Sequence, residues 1–235
     1  MENYCDLHVH SPFSDGTLTP RQLLQAAQDA GLTAVALTDH NTVAGLPDFL
    51  EAAPDFAIRA IPGIEFSVDY MGMELHLLAL FVKPAYFDTI TAMMEDFKRR
   101  KEQSNRDLVD NLNQAGFRLD YEAIKQQASG YVNRAHIAAA MTEKGYTGSI
   151  KEAFKQYLNP IHGYYVPPRR LDVFETVRFI KSIGAVAVLA HPLLNLDEDA
   201  LREFLPQAVA AGLDGMETLY STYDEPTTAL SHRIA

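Results

Sequence analysis

The sequence has little of what disulfide frameworks and membrane proteins are built from. It contains one cysteine, Cys5, and no tryptophan in 235 residues. A single cysteine excludes an internal disulfide and a cysteine-rich zinc module, and it is typical of a reducing compartment. No apolar run reaches the roughly 18 residues that a membrane span needs. Because residues 1–3 lead into Asp6 and His8 without the apolar core of a secretory signal, we expect a cytoplasmic protein with no membrane partner.

Positive charge is also scarce. Lysine and arginine total 20 against 31 aspartates and glutamates, which leaves a net charge of −11. Such a chain lacks the broad cationic surface expected of a protein that binds long nucleic acid. A small anionic substrate is not excluded, because bound metal ions reverse the local field. With 47% hydrophobic and 22% charged residues, the composition is that of a globular protein.

Short apolar runs alternate with helical patterns in the first and last thirds of the chain. Strands are predicted over residues 4–10, 34–38, 58–61, 64–68, 74–82, 185–190 and 216–220. Helices are predicted after Thr19-Pro20 and Asp172, and over residues 201–211. Repeated strand–helix units with apolar strands indicate an α/β fold with a largely parallel sheet.

Residues 86–163 break this rhythm, because they show helical patterns and little strand. Helices are predicted over 87–114, after Asp120 and over 133–144, and Ser149 with Glu152 has the spacing of a capping box. We interpret residues 86–163 as a helical insertion between residues 1–85 and 164–235, which together form one sheet domain.

Histidines cluster where the predicted strands end. Four of the eight lie at or just beyond the carboxyl ends of strands, namely His8, His10, His40 and His191. Those ends form the active-site side of parallel α/β folds. Residues two apart in a strand share a face, so the first two of these rings project together.

Three further side chains are placed near these histidines by the pattern. Asp15 follows in a glycine-containing loop that can fold back over the same edge. Glu65 lies in an apolar stretch, where a carboxylate needs a cation nearby. A predicted turn at residues 71–72 would lay His76 beside Glu65, although His76 stands at the start of its predicted strand.

Imidazole and carboxylate ligands without thiolate favour manganese, iron or zinc. Seven such side chains exceed the needs of one tetrahedral ion, which predicts a site with more than one metal. Sites of that kind are suited to hydrolysis, above all of phosphate esters, where paired ions generate hydroxide and neutralise developing charge.

Four segments resemble the successive metal motifs of the PHP (polymerase and histidinol phosphatase) superfamily. They are Asp6-Leu7-His8-Val9-His10-Ser11, Leu37-Thr38-Asp39-His40-Asn41-Thr42, Pro62-Gly63-Ile64-Glu65 and Leu189-Ala190-His191-Pro192. Their order, their spacing and the helical insertion are most similar to the nucleotide-phosphatase branch. That branch hydrolyses 5′-AMP and nucleoside 3′,5′-bisphosphates, and related members trim short RNA from the 5′ end. The resemblance implies a distorted (βα)7 TIM-like barrel with residues 86–163 as a substrate cap.

The resemblance also implies three divalent ions, with Mn²⁺ favoured over Zn²⁺ or Fe²⁺. The ligand sets that it implies are His8, His10 and Glu65 for the first ion, Asp15 and His40 for the second, and Glu65, His76 and His191 for the third. It further implies that Asn133 and Arg134 contact the substrate phosphate, with Arg134 as a catalytic contact. An arginine at a helix N-terminus suits that role, although an ordinary surface arginine is the alternative.

One feature departs from the resemblance. Proteins of this branch close the site with a late Gly-Ser-Asp-Phe-His-like segment, and this sequence stops at Ala235 before such a segment. We therefore expect a barrel that is incomplete at its C-terminal end.

Taken together, the residues and the resemblance predict a metal-dependent phosphoesterase that removes a phosphate from a small nucleotide by means of a metal-bridged hydroxide. Two alternatives within the enzyme class are a histidinol-phosphate phosphatase and a 5′-to-3′ exonuclease on short oligonucleotides. A third alternative is a non-catalytic metal-binding module. The pattern leaves the oligomeric state open.

Overall fold

The structure is a computed structural model that describes residues 4–128 and 132–235. Residues 1–3, used above in predicting the cellular location, lie outside it. The strands are Cys5–Val9 (β1), Ala34–Leu37 (β2), Arg59–Tyr70 (β3), Met73–Leu80 (β4), Leu171–Asp172 (β5), Val186–Ala190 (β6) and Gly215–Met216 (β7). The α-helices are Pro20–Asp29 (α1), Leu46–Ala52 (α2), Phe87–Gln114 (α3), Tyr121–Gln127 (α4), Arg134–Glu143 (α5), Ile150–Ala153 (α6), Val173–Ser182 (α7), Glu198–Ala211 (α8) and Glu225–Ile234 (α9).

Several helices begin at the capping residue that the sequence predicts. The Thr19 side chain accepts a hydrogen bond from the backbone N–H of Gln22 at the start of α1, and Pro20 is the first helical residue. The Asp172 carboxylate caps α7 in the same way. The helix predicted over residues 87–114 is confirmed as α3. None of the helices in the described part of the chain combines the length and apolarity of a membrane span.

The sheet is mixed, so the prediction of a largely parallel sheet is wrong at its centre. The strand order is β1-β2-β3-β4-β6-β7, and β5 pairs with β3. The β3–β4 and β4–β6 pairs are antiparallel, and the other pairs are parallel. The β3–β4 pair is antiparallel because a two-residue turn at Met71 and Gly72 joins the strands, with φ angles of 52° and 86° that are those of a tight hairpin.

A single long strand, β3, replaces the two short strands predicted over residues 58–61 and 64–68. The chain passes through Pro62 and Gly63 without leaving the sheet. A Cβ atom at Gly63 would lie 2.8 Å from the backbone oxygen of Ala79 and from the Thr38 side chain. The glycine therefore lets β3 approach its neighbours closely at this point.

The sheet curls so that its two outer strands meet. β1 and β7 stand at opposite ends of the strand order. Even so, His8 Nδ1 on β1 lies 2.9 Å from Oε1 of Glu217, the residue that follows β7. The result is a curled half-barrel, consistent with a distorted barrel. A strict (βα)7 alternation is not met, because a turn rather than a helix joins β3 to β4.

The chain divides into two compact units, each with its own core. The sheet unit comprises Met1–Met94 and Arg170–Ala235, and the helical unit comprises Glu95–Arg169. These limits lie further along the chain than the boundaries predicted at residues 86 and 163. Ile90 and Met94 explain the first difference, because these α3 residues pack in the core of the sheet unit. The core of the helical unit is formed by residues such as Leu112, Met141 and Leu158.

Candidate metal centre

The centre of the candidate site is one buried carboxylate, Glu65 on β3, which is fully buried. Its two oxygens face five imidazole rings. The Oε1 distances are 2.8 Å to His76 Nδ1 and 3.0 Å to His191 Nε2. The Oε2 distances are 2.9 Å to His40 Nδ1, 3.1 Å to His8 Nε2 and 3.3 Å to His10 Nε2. The structure thus brings together six of the seven side chains that were predicted as metal ligands.

Strand pairing explains how these side chains meet. His8 lies on β1 and His10 directly follows it, so the period of two aims both rings at one face. The parallel pairing of β2 with β3 continues as a bridge between His40 and Glu65.

In the β3–β4 hairpin, Ser67 is opposite His76 and Leu78 is opposite Glu65. His76 is therefore a diagonal neighbour of Glu65 on the same face. The turn predicted at residues 71–72 is confirmed, but His76 lies inside β4 rather than at its start.

The seventh predicted ligand, Asp15, lies at the rim of the cluster. Its carboxylate oxygens are 3.4 Å from His10 Nδ1 and 3.7 Å from His40 Nε2. The preceding loop is fixed by Asp39, which is buried and accepts hydrogen bonds from the backbone N–H and the hydroxyl of Ser11 at 2.7 and 2.6 Å. Asp39 therefore holds the loop that presents Asp15.

Sequence reasoning missed two carboxylates that contact the outer sides of the rings. Glu217 Oε1 lies 2.9 Å from His8 Nδ1, and Glu217 Oε2 accepts the backbone N–H of His191 at 2.7 Å. Glu74 lies 3.6 Å from His76 Nε2 and forms an ion pair with Arg170 at 2.8 Å. Glu217 was not recognised as a site residue because residues 216–220 were predicted as a strand, whereas β7 ends at Met216. The signal was available, since Glu217 follows an apolar segment just as His191 does.

The geometry fits metal coordination better than hydrogen bonding alone. A carboxylate offers about four lone-pair positions, and five rings face this one. None of the rings around Glu65 Oε2 is oriented to hydrogen-bond that oxygen. Two ligands that are each about 2.1 Å from one ion lie roughly 3.0–3.4 Å apart, close to the separations observed here.

Among the residues that the structure describes, two groups of ligand atoms are close enough to hold an ion, and both include Glu65. One is His8, Glu65 and His191, and the other is His10, His40 and Glu65. The resemblance instead pairs His8 with His10, and His76 with His191. The grouping that it implies stays a prediction.

The cluster shifts the proton affinity of its members. Burial lowers the pKa of His8, but its contacts with Glu217 and Glu65 outweigh burial and raise the pKa to about 10. The same balance, with Glu65 and Glu74 as partners, raises the pKa of His76 to about 9. Burial lowers the pKa of His10 below its ordinary value. Burial also acts to raise the pKa of Glu65, but the surrounding rings hold that pKa far below its usual range. Metal binding therefore has to displace protons.

The two predicted substrate contacts belong to the helical unit. The Asn133 side chain accepts the backbone N–H of His136 at 3.1 Å and so caps α5. Arg134 donates to the backbone oxygen of Leu158 at 3.2 Å, and its guanidinium lies 4.5 Å from the ring centroid of Tyr165. These contacts fix both residues locally, and their role toward a substrate stays a prediction.

A curled α/β sheet with imidazoles gathered around a shared carboxylate at its strand ends is the architecture of a metal-dependent hydrolase. The sequence profile of the PHP domain matches residues 6–170, which is more than half of the chain. The chain therefore belongs to the PHP family.

Relatives of known name agree with this assignment. The 5′-3′ exoribonuclease of Haemophilus influenzae is 33% identical over 92% of this chain and 79% of that protein. The 3′,5′-nucleoside bisphosphate phosphatase of Chromobacterium violaceum is 27% identical over 90% of this chain and 75% of that protein. A crystal structure from Bifidobacterium adolescentis, assigned as a metal-dependent phosphoesterase, is 27% identical and superposes with a TM-score of 0.69 over 98% of this chain and 82% of that chain. The protein is accordingly a hydrolase of phosphoric esters, and its family implies divalent metals.

Proposed function

We propose that the protein removes a phosphate from a small nucleotide, such as 5′-AMP or a nucleoside 3′,5′-bisphosphate, with three divalent ions. The observation that carries the proposal is the fully buried Glu65, whose two oxygens face five imidazoles. A shared carboxylate is what a site with adjacent ions requires, and adjacent ions suit phosphate ester hydrolysis. The likeness to a bisphosphate phosphatase supports the substrate class.

The residues of the chain would contribute to the reaction in distinct ways. Divalent ions bound here would polarise the phosphoryl oxygens and lower the pKa of water. Glu65 supplies negative charge that offsets such ions in the protein interior. His10, whose pKa is lowered by burial, offers a neutral ring nitrogen at neutral pH. Nitrogen and oxygen donors suit Mn²⁺, Zn²⁺ and Fe²⁺, and the family resemblance makes Mn²⁺ the first choice.

Asn133 and Arg134 are proposed to contact the substrate phosphate. An arginine presents several N–H donors in a fixed plane, which matches phosphate oxygens. The place of Arg134 at the start of α5 supports this role, because the N-terminus of a helix favours an anion.

A second candidate is the stepwise 5′-to-3′ removal of nucleotides from short RNA. It is favoured by the exoribonuclease of Haemophilus influenzae, whose identity of 33% exceeds the 27% of the bisphosphate phosphatase. The net charge of −11 argues against long nucleic acid as the substrate, but not against a few nucleotides.

One product analysis separates the two candidates. The Mn²⁺-loaded protein is incubated with 5′-AMP, adenosine 3′,5′-bisphosphate, histidinol phosphate or a 5′-phosphorylated RNA pentamer, and the products are separated by chromatography. Inorganic phosphate from the nucleotides supports the first candidate. Mononucleotides from the pentamer, without inorganic phosphate, support the second. Hydrolysis of histidinol phosphate alone, or of nothing by a fully metal-loaded protein, would overturn both.

A further inference from the structure

We propose that Glu217 is a positioning residue that holds His8 and His191 ready for metal binding. The inference rests on the metal centre proposed above, but not on the choice of substrate. Glu217 follows β7, at one end of the strand order, and reaches His8 on β1, at the other end. It also reaches His191, which follows β6. One side chain thus contacts the ring of His8 and the backbone of His191.

The first contact selects the tautomer of His8. The ring stands between two carboxylates, with Nε2 3.1 Å from Glu65 and Nδ1 2.9 Å from Glu217. A carboxylate oxygen accepts hydrogen bonds, and a neutral imidazole carries a single N–H. With the proton on Nδ1, the lone pair of Nε2 faces the cluster and is available to an ion. Carboxylates that hold a ligating histidine in this way also make the ring a stronger ligand.

The second contact holds a strained backbone. His191 has φ 28° and ψ 54°, a left-handed conformation that residues other than glycine seldom adopt, and it precedes Pro192. Its backbone N–H donates to Glu217 Oε2 at 2.7 Å, and its Nε2 lies 3.0 Å from Glu65. Without the acceptor, a buried N–H would lose its partner, and the backbone that aims this ring at Glu65 would lose a restraint.

The surroundings of Glu217 favour positioning over direct ligation. Its Oε1 atom contacts Nδ1 of His8, whereas the other ring nitrogen, Nε2, faces Glu65. The ring of Tyr220 packs against His191 at 4.8 Å between centroids and against His8 at 6.3 Å, so an aromatic ring also covers this side of the cluster.

The variant that tests this is Glu217→Gln, with Glu198→Gln as a matched control. Glutamine keeps the shape, and its amide oxygen can still accept from His8. The amide NH₂ then faces the N–H of His191, so one of the two contacts is lost. Glu198 lies on α8 and pairs with Arg202 at 2.8 Å, so its neutralisation leaves the cluster untouched.

Two readouts are independent of activity. The first is the affinity of metal-free protein for Mn²⁺, measured by titration with detection of the free ion. Glu217→Gln is expected to weaken it about 10- to 100-fold, and Glu198→Gln to leave it unchanged. The second is the His8 tautomer in the wild-type protein loaded with diamagnetic Zn²⁺, read from the ¹⁵N shifts of its ring, which is expected to carry its proton on Nδ1. This second readout holds even if Glu217→Gln does not fold.

Three results would overturn the proposal. One is an unchanged Mn²⁺ affinity in folded Glu217→Gln. Another is a proton on Nε2 of His8 in the metal-loaded protein. The third is the loss of one whole equivalent of metal with the others unaffected, which would make Glu217 a ligand. A wild-type protein that binds metal as expected but hydrolyses no nucleotide would refute the proposed function and leave this inference standing.

Discussion

Replacing Glu65 with glutamine is the most direct test of the metal centre. The substitution keeps the size of a fully buried side chain and removes its charge. It also replaces one acceptor oxygen by an NH₂ group with two donors. If the amide oxygen stays with His76 and His191, the NH₂ group faces His8, His10 and His40 and occupies the space where their nitrogens converge.

The expected loss of activity in Glu65→Gln follows from the number of contacts that this carboxylate makes. Both candidate ligand groups include Glu65, so each would lose a charged ligand. Removing a carboxylate that only supports a metal ligand typically lowers metal affinity or activity about 10- to 100-fold. Removing a ligand that is shared between ions is expected to lower them further. We expect kcat/KM to fall by at least about 10³-fold, which corresponds to roughly 4 kcal/mol of transition-state stabilisation.

The fold is expected to survive this change. Glu65 is among the contacts that raise the pKa values of His8 and His76, so removing its charge lowers both pKa values and eases the loss of their protons. Rings that become neutral no longer repel one another, which limits the cost of removing the central charge.

The assay combines initial rates of phosphate release, metal content by elemental analysis and the circular dichroism spectrum. Glu198→Gln again serves as the control. Turnover above about a tenth of the wild-type value, in a variant that still binds its metals, would refute the assignment of Glu65 as the shared ligand.

Three further predictions address the substrate, the loop and the proton balance. Arg134→Ala should raise KM for nucleotides without changing the metal content; lost metal with an unchanged KM would contradict its role as a phosphate contact. Gly16→Ala would place a Cβ atom 2.0 Å from a backbone oxygen and should lower the free energy of unfolding, measured in urea, by about 1–3 kcal/mol. Gly215→Ala, with open space around the added Cβ atom, should leave that free energy unchanged. Equal free energies of unfolding for the two variants would contradict the close packing at Gly16. Metal-free protein should lose thermal stability as the pH rises from about 7 to 10. In the folded protein the pKa values of His8 and His76 are about 10 and 9, above their ordinary 6.5, so the stability that their protons confer is complete below pH 6.5 and is lost as the pH rises to these folded values. A melting temperature that stays constant or rises over this pH range would refute the prediction.

Local patterns were enough to predict most elements and most of the cluster. The 3.6-residue period predicted the bounds of α3, and capping residues predicted the starts of α1 and α7. The strand period placed His8 and His10 on one face. The placement of Glu65 among cations followed from the cost of burying an unpaired carboxylate in an apolar segment. These inferences need only neighbouring residues.

The rest depended on contacts that local patterns do not contain. The turn at Met71 and Gly72 was recognisable, but the antiparallel centre follows only once β4 is also seen to pair with β6. Glu217 was not predicted as part of the site because β7 has only two residues, too few to show a period. Its partners, His8 and His191, also lie far away in sequence or on another strand end. The grouping of rings around Glu65 depends on the curl of the sheet, which no single segment determines.

Closure of the sheet brings the side chains of the candidate metal centre together. His8 and Glu217 are separated by 209 positions, and His191 and Glu65 by 126, yet each pair is in contact. An unfolded chain holds none of these side chains together, so a metal ion binds the closed sheet in preference to the open chain. Such an ion stabilises the fold by an amount set by its concentration relative to its Kd, about 2.7 kcal/mol at a hundredfold excess over Kd. The two outer strands, β1 and β7, share no backbone ladder among the described residues, so side-chain contacts connect them, and ions bound at the proposed centre would add to these contacts. The candidate metal centre therefore lies where the two ends of the sheet meet.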